Sequence, residues 1–231
     1  MNISEMFVSV QGEGKYTGTP SIFLRTSGCD LRCNFCDTPY TSWKAEYNPQ
    51  KVNSVINSIK TMKERNKNVS HLVITGGEPY LQKGLDSLVE SLKDDFFITI
   101  ETNGIKYRYI DGVDLVSWSP KMSNSYPLGE NTPEYLIHKK ALTGPNNYSW
   151  IIKGPTDYQV KFVIDKPQDL EEVLSFVSDY KIQKEHVFLM PQARTKEELL
   201  KSKWLVEKCI GEGFNFSNRL QVELYGDKRG V

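Results

Sequence analysis

The chain has 231 residues, 39% of them hydrophobic and 25% charged, with 29 basic side chains balanced by 29 acidic ones. That length suits one domain with a sizeable core, and the even charge argues neither for nor against nucleic acid. No apolar run approaches the roughly 20 residues of a membrane span, and Met1 to Gly14 lacks the basic-then-apolar pattern of a secretory signal, so a reducing cytoplasm is the expected setting.

Ser21 to Arg25 reads as a strand that delivers a loop carrying Cys29, Cys33 and Cys36. Pro49 suits the first turn of a helix behind Asn48, and Val52, Val55, Ile56, Ile59 and Met62 recur at helical spacing. His71 to Thr75 is a buried strand running into Gly76-Gly77, and Leu81, Leu85, Leu88 and Leu92 mark the helix after it. Phe96 to Glu101 and Val113 to Ser117 are further strands. Residues 121–157, rich in Pro, Gly, Asn and Tyr, form a variable region with a short helix near Glu134 to Ala141 and the makings of a lid. Tyr158 to Ile164 resumes the strands, followed by a helix striped with Leu170, Val173, Leu174 and Val177. After the strand Val187 to Met190, Thr195 and Glu198 form a capping box that opens a helix to about Ile210, and Leu220 to Leu224 is the last strand. Repeated βα units predict an α/β fold in a single domain over 1–231, its parallel sheet flanked by outer helices and either doubly wound or curled as a partial barrel.

Three cysteines within eight residues cannot all pair as disulfides, and thiolates this close hold iron or zinc. Closed zinc sites draw four protein ligands, usually as two pairs, and no second pair exists here. His71, His138 and His186 are scattered singletons, and Cys209, at helical spacing from Leu205, reads as a small buried residue. A 4Fe–4S cube held by three cysteines leaves one iron open to a small molecule. Ligands of parallel α/β folds gather at the carboxyl ends of the strands. The cysteines, Gly76-Gly-Glu-Pro79, Glu101-Thr-Asn-Gly104, Ser117-Trp-Ser-Pro-Lys121 and Pro191-Gln192 all follow strands, which predicts one composite site. Taken singly, each of the glycine-rich turns is better read as an ordinary turn. No G-x-G-x-x-G opens a helix, which disfavours a dinucleotide site.

Cys29-x3-Cys33-x2-Cys36, with Phe35 before the last cysteine and Gly-Gly-Glu-Pro after the next strand, resembles the signature of the radical S-adenosylmethionine superfamily. Gln11-Gly-Glu-Gly14, the Phe23 to Cys29 approach, Cys36-Asp-Thr38, Ser117-x-Ser-Pro-Lys121 and the tail Lys228-Arg-Gly-Val231 extend the likeness to the 7-carboxy-7-deazaguanine synthases. The resemblance implies a partial (β/α)6 TIM-like barrel, a homodimer, magnesium, and radical contraction of 6-carboxy-5,6,7,8-tetrahydropterin to 7-carboxy-7-deazaguanine with loss of ammonia. It implies an electron donor such as flavodoxin. By position it assigns Cys29, Cys33 and Cys36 to the cluster, and Phe35, Gly76, Gly77, Glu78, Thr102, Ser117, Ser119, Lys121 and Gln192 to S-adenosylmethionine. It assigns Gln11, Glu13, Arg25, Gly77, Gln221 and Val231 to the pterin, with Arg25 on its carboxylate, and Thr38 to magnesium. Gln221 stands where many members have a histidine. Two other readings share the cysteine motif: an activating enzyme that makes a glycyl radical on a partner protein, and a non-catalytic zinc module.

Overall fold

Period-two alternation along the strands separates apolar from polar side chains, and that separation sets the architecture. The computed structural model describes residues 1–231. Its elements are β1 (Ile3–Val10), β2 (Pro20–Thr26), α1 (Val52–Arg65), β3 (His71–Gly76), α2 (Leu85–Leu92), β4 (Phe97–Thr102), β5 (Leu115–Trp118), α3 (Pro133–Thr143), α4 (Tyr148–Lys153), β6 (Asp157–Ile164), α5 (Asp169–Asp179), β7 (Val187–Pro191), α6 (Lys196–Lys201), α7 (Trp204–Glu212), β8 (Asn215–Phe216) and α8 (Leu220–Tyr225). The strands form one sheet in sequence order, with β1 antiparallel to β2 and every other neighbour parallel. Parallel neighbours need crossovers, which the helices supply.

Ile22 and Leu24, Leu72 and Ile74, Ile98 and Ile100, and Val160 and Phe162 point outward into the core beneath the helices. Val55, Ile56 and Ile59 of α1, Leu85, Leu88 and Leu92 of α2, and Leu170 and Val173 of α5 close over them. Each such side chain contributes about 1.5–3 kcal/mol by burial. The intervening residues face inward, and many are polar: Arg25, Thr75, Glu101, Ser117, Gln159 and Lys161. The sheet curls so that its ends meet. Gly14 N donates to Ser217 Oγ at 2.9 Å, Lys15 N to Gln159 Oε1 at 2.8 Å, and Leu220 N to Gly12 O at 2.9 Å. Tyr16 meets His71 and Phe97 edge-on, so the β1–β2 turn plugs the end where the parallel strands begin. The opposite mouth stays open.

Several expectations need correction. The hairpin strand β1 precedes the first expected strand; its only deeply buried side chain, Ile3, gives no clear alternation. Pro49 lies ahead of α1, pairing with Asn2 as an isolated bridge, and Leu81 sits in a short 3-10 turn outside α2. The helix expected to reach Ile210 breaks at Ser202, where its carbonyl begins a new turn, giving α6 and α7. Leu220 to Leu224 is helical, not a strand: of its alternating apolar residues only Val222 is buried, and Leu224 lies exposed. The last strand is β8. Residues 121–157 carry, besides the expected helix, a second one, α4, whose Tyr148 and Ile151 enter the main core.

Candidate functional site

The open mouth is a cavity of about 460 Å³ lined by the loops that follow the strands. Cys29, Cys33 and Cys36 stand on its wall, all as free thiols. Their loop has no helix or strand and is held by side chains. Trp43 Nε1 donates to Cys33 O at 2.9 Å, Asn103 Nδ2 to Asp30 Oδ1 at 2.9 Å, and the Arg32 guanidinium to the carbonyls of Cys29 and Leu31 at 2.8 and 2.7 Å. Burial pushes the Cys33 thiol up to about 12, with Lys121 the main opposing influence, and burial raises Cys29 as well. Metal uptake here must therefore release protons. No other Cys, His, Asp or Glu side chains gather with these three into a four-ligand set of the kind a closed zinc site draws. Cys209 is buried in α7 with its sulfur on Asn215 O, away from the cavity, so the loop offers three thiols and no fourth. That donor set fits a cube with one open corner.

Phe35, Gly76, Gly77, Thr102, Ser117, Ser119, Lys121 and Gln192 line the same cavity, as do Gln11, Glu13, Arg25, Gln221, Val231 and Thr38. Glu78 does not. It is wholly buried behind the wall, accepting from Tyr80 N at 3.0 Å, Thr102 Oγ1 at 2.9 Å and Asn103 N at 2.8 Å. Its carboxylate clamps β3 to β4, and burial raises its pKa to about 7. The glycines before it also serve the protein's own packing. Gly76 has φ +131°, and a Cβ on Gly77 would lie 2.2 Å from Gly28 O. Lys121 Nζ turns onto Ser119, 2.7 Å from both its carbonyl and its hydroxyl.

The cavity is also lined by a charge network that the sequence reading largely missed. Glu13 accepts from Lys161 Nζ at 2.9 Å, Arg219 Nε at 3.1 Å and Gln221 Nε2 at 2.8 Å. Lys161 also reaches Glu101 Oε1 at 3.3 Å, which Gln11 Nε2 approaches at 3.3 Å, and Thr75 donates to Glu101 Oε2 at 2.7 Å. Arg219 further binds Asp37 and Ala193 O. Burial alone would push Glu13 up; the charges of Lys161 and Arg219 overcome it and hold the carboxyl well below its usual range. Lys161 was legible in principle, since Gln159, Lys161 and Val163 alternate with Val160, Phe162 and Ile164. Arg219 carried no signal.

Arg25, on the cavity lining, gives its Nε–H to Glu5 Oε1 at 2.6 Å, and its terminal nitrogens have no hydrogen-bond partner within the protein. Around the cavity Arg25, Lys121, Lys161, Arg194, Arg219, Lys228 and Arg229 outnumber the carboxylates Glu13, Asp37, Glu101 and Asp227. Such a field favours an anionic ligand. Phe7 and Phe23, stacked at 5.0 Å, add an aromatic flank.

The model of the radical SAM superfamily matches residues 23–181. The 7-carboxy-7-deazaguanine synthase of Rhodopirellula baltica is 39% identical over 99% of this chain and 88% of its own length. The enzyme of the same name from Pyrobaculum aerophilum is 34% identical over 100% of this chain and 97% of its own. Among solved structures, QueE from Escherichia coli superposes with a TM-score of 0.64 at 24% identity, covering 94% of this chain and 93% of that one, and so shares the fold.

Proposed function

Because the chain belongs to the radical SAM superfamily and, within it, to the 7-carboxy-7-deazaguanine synthases, we propose that its cavity converts 6-carboxy-5,6,7,8-tetrahydropterin to 7-carboxy-7-deazaguanine and ammonia. The carrying observation is one cavity lined by three free thiols and also by Arg25 and the Glu13 network. Cys29, Cys33 and Cys36 would hold a 4Fe–4S cluster, and Gly77, Thr102, Ser117, Ser119, Lys121 and Gln192 would surround S-adenosylmethionine. When bound, these two supply a carbon-centred radical able to take a hydrogen atom from substrate.

The protein's part is recognition and orientation. The terminal nitrogens of Arg25 match a carboxylate as a planar fork. Gln11, Glu13 and Gln221 present acceptors and donors suited to a pterin edge. In this structure Glu13 is already bound by Lys161, Arg219 and Gln221, so its carboxylate is oriented before substrate arrives. The conversion loses only ammonia, so it needs no net oxidant. Water-exclusion falls to the tail Gly226 to Val231, which lines the cavity.

Thr38 is our candidate for magnesium, with substrate oxygens and water completing its hard ligands. We also assign Val231, which lines the cavity, to the pterin. We extend the proposal to one domain over 1–231, a homodimer, cytoplasmic residence, a flavodoxin-like electron donor and queuosine-type 7-deazapurine biosynthesis. No helix is long and apolar enough to cross a membrane.

Anaerobic incubation of reconstituted protein with the carboxypterin, S-adenosylmethionine and reductant tests this reading. Ultraviolet-absorbing deazaguanine and ammonia in equal amounts are expected. Cleavage of S-adenosylmethionine with no such product, or a radical formed only on an added protein, would refute it.

A further inference from the structure

His138, on α3, is fully buried and takes no part in the recognition just described. The main-chain N–H of Arg32 donates to its Nδ1 at 3.0 Å, and its Nε2 lies 3.0 Å from Ser125 Oγ. A main-chain N–H can only donate, so Nδ1 is the acceptor and Nε2 carries the hydrogen. Ser125 Oγ receives that hydrogen and donates its own to Met122 O at 2.5 Å. The direction of every bond in this chain is thereby fixed. Ser125 also accepts, through its carbonyl, the N–H of Asn34 at 3.0 Å. The His138–Ser125 pair therefore grips the metal-binding loop on both sides of Cys33, at Arg32 and at Asn34. Tyr126 meets the imidazole edge-on at 5.0 Å and holds the ring from the other side.

The loop has no regular ladder; Cys36 N finds Cys33 O within it, but the amides of Arg32 and Asn34 take partners from elsewhere in the fold. The Arg32 guanidinium binds carbonyls within the loop itself, whereas its amide is the link to α3. We propose that His138 is a positioning residue for cluster assembly: by holding the Arg32 amide, with Ser125 holding that of Asn34, it sets the spacing of Cys29, Cys33 and Cys36. The variable region is then a support for the cofactor loop as well as part of the outer shell. This inference rests on reading the three thiols as cluster ligands.

The test compares wild type, His138→Leu, His138→Asn and Ser125→Ala as full-length proteins. Iron and sulfide per chain are measured after anaerobic reconstitution, together with the EPR spectrum of the reduced cluster with and without S-adenosylmethionine. His138→Leu should take up iron at least severalfold more slowly than wild type and show altered g-values in its loaded fraction. His138→Asn, which keeps an acceptor near the Nδ1 position, should recover most of the loading. Ser125→Ala leaves the Asn34 bond to its carbonyl in place but removes the hydroxyl that accepts from Nε2 and fixes the imidazole tautomer, so it should give a smaller deficit of the same kind. A folded His138→Leu that loads at the wild-type rate with an unchanged spectrum would overturn the proposal. If His138→Leu does not fold, wild-type loading and spectrum in Ser125→Ala would overturn it instead. Wild-type protein that takes up no iron would remove the cluster reading, and this inference with it.

Discussion

Glu5 holds Arg25 by a 2.6 Å bond to Nε, and its second oxygen accepts from Arg229 Nε at 3.1 Å. One carboxylate on β1 thus ties the cavity's carboxylate-binding candidate to the tail that walls the cavity. Arg229 is clamped further, bidentate to Glu46 at 2.7 Å and stacked 4.0 Å above Tyr40. Tyr40 in turn donates to Glu5 at 3.1 Å. Glu5→Ala frees the Arg25 fork to swing, so the KM for the carboxypterin should rise about tenfold, the worth of one charge-assisted hydrogen bond. Iron content should stay at wild-type level. Steady-state kinetics beside iron analysis checks both; an unchanged KM would leave Glu5 without this role.

Arg229→Ala removes the latch but leaves Arg25 paired with Glu5. The amides of Gly226 to Val231 should then exchange hydrogen faster in the substrate-free protein. Hydrogen-exchange mass spectrometry reads this directly. The surface part of the Glu46 pair is worth little in global stability, about 0–1 kcal/mol, so the melting temperature should barely move.

The network round Glu13 makes a sharper demand. Glu13→Ala leaves Lys161 and Arg219 short of a partner in a buried setting, where breaking such a pair costs about 3–5 kcal/mol. The expected result is both weaker pterin binding and a lower denaturation midpoint, with cluster content preserved in the folded fraction. Lys161→Met paired with Glu13→Ala should recover part of the stability without restoring activity. Chemical denaturation of the single and double variants measures the coupling.

These networks also show what the sequence could and could not say. The strands β2 to β7, the helices α1, α2, α3 and α5 and the cysteine loop were readable because apolar periodicity and strand-end motifs are local signals. Of the residues expected at the site, only Glu78 falls off the cavity wall, because it turns inward to three donors from Tyr80, Thr102 and Asn103. No local pattern distinguishes a carboxylate aimed at a ligand from one aimed at backbone amides. Gln221 reached its place by a different route than expected: a helical turn after β8, not a strand, carries it to Glu13. Arg219, Glu5 and His138 could not have been found locally, since each acts on a partner twenty residues away or more than a hundred. Glu5 lies 20 residues from Arg25, His138 106 from Arg32, and Arg219 206 from Glu13.

Glu78 gives a pH dependence of definite sign. Its pKa rises from 4.5 to about 7 on folding, chiefly through burial, so between these values the native state keeps a proton that the unfolded chain has released. Its contribution to stability is therefore full below pH 4.5 and declines as pH rises to about 7, by roughly 3 kcal/mol at most. Urea midpoints from pH 4.5 to 7.5 should fall less steeply in Glu78→Gln than in wild type. Parallel slopes would show that Glu78 is charged throughout.

Gly77→Ala tests the packing beneath the cysteine loop. The added Cβ would lie 2.2 Å from Gly28 O and 2.8 Å from Thr41 O, so the backbone just before Cys29 must shift. Overpacking of this kind costs about 1–3 kcal/mol. Thermal stability and iron loading should fall together, in contrast to Cys209→Ala, which should retain full iron because its sulfur lies in α7, away from the cavity.

The three-thiolate anchorage is tested most directly by EPR of reduced, anaerobically reconstituted protein with S-adenosylmethionine absent and then present. About four irons per chain, the content of one cubane cluster, and g-values that move when S-adenosylmethionine is added are predicted. A spectrum indifferent to S-adenosylmethionine, or a closed tetrathiolate zinc centre in place of iron, would contradict it.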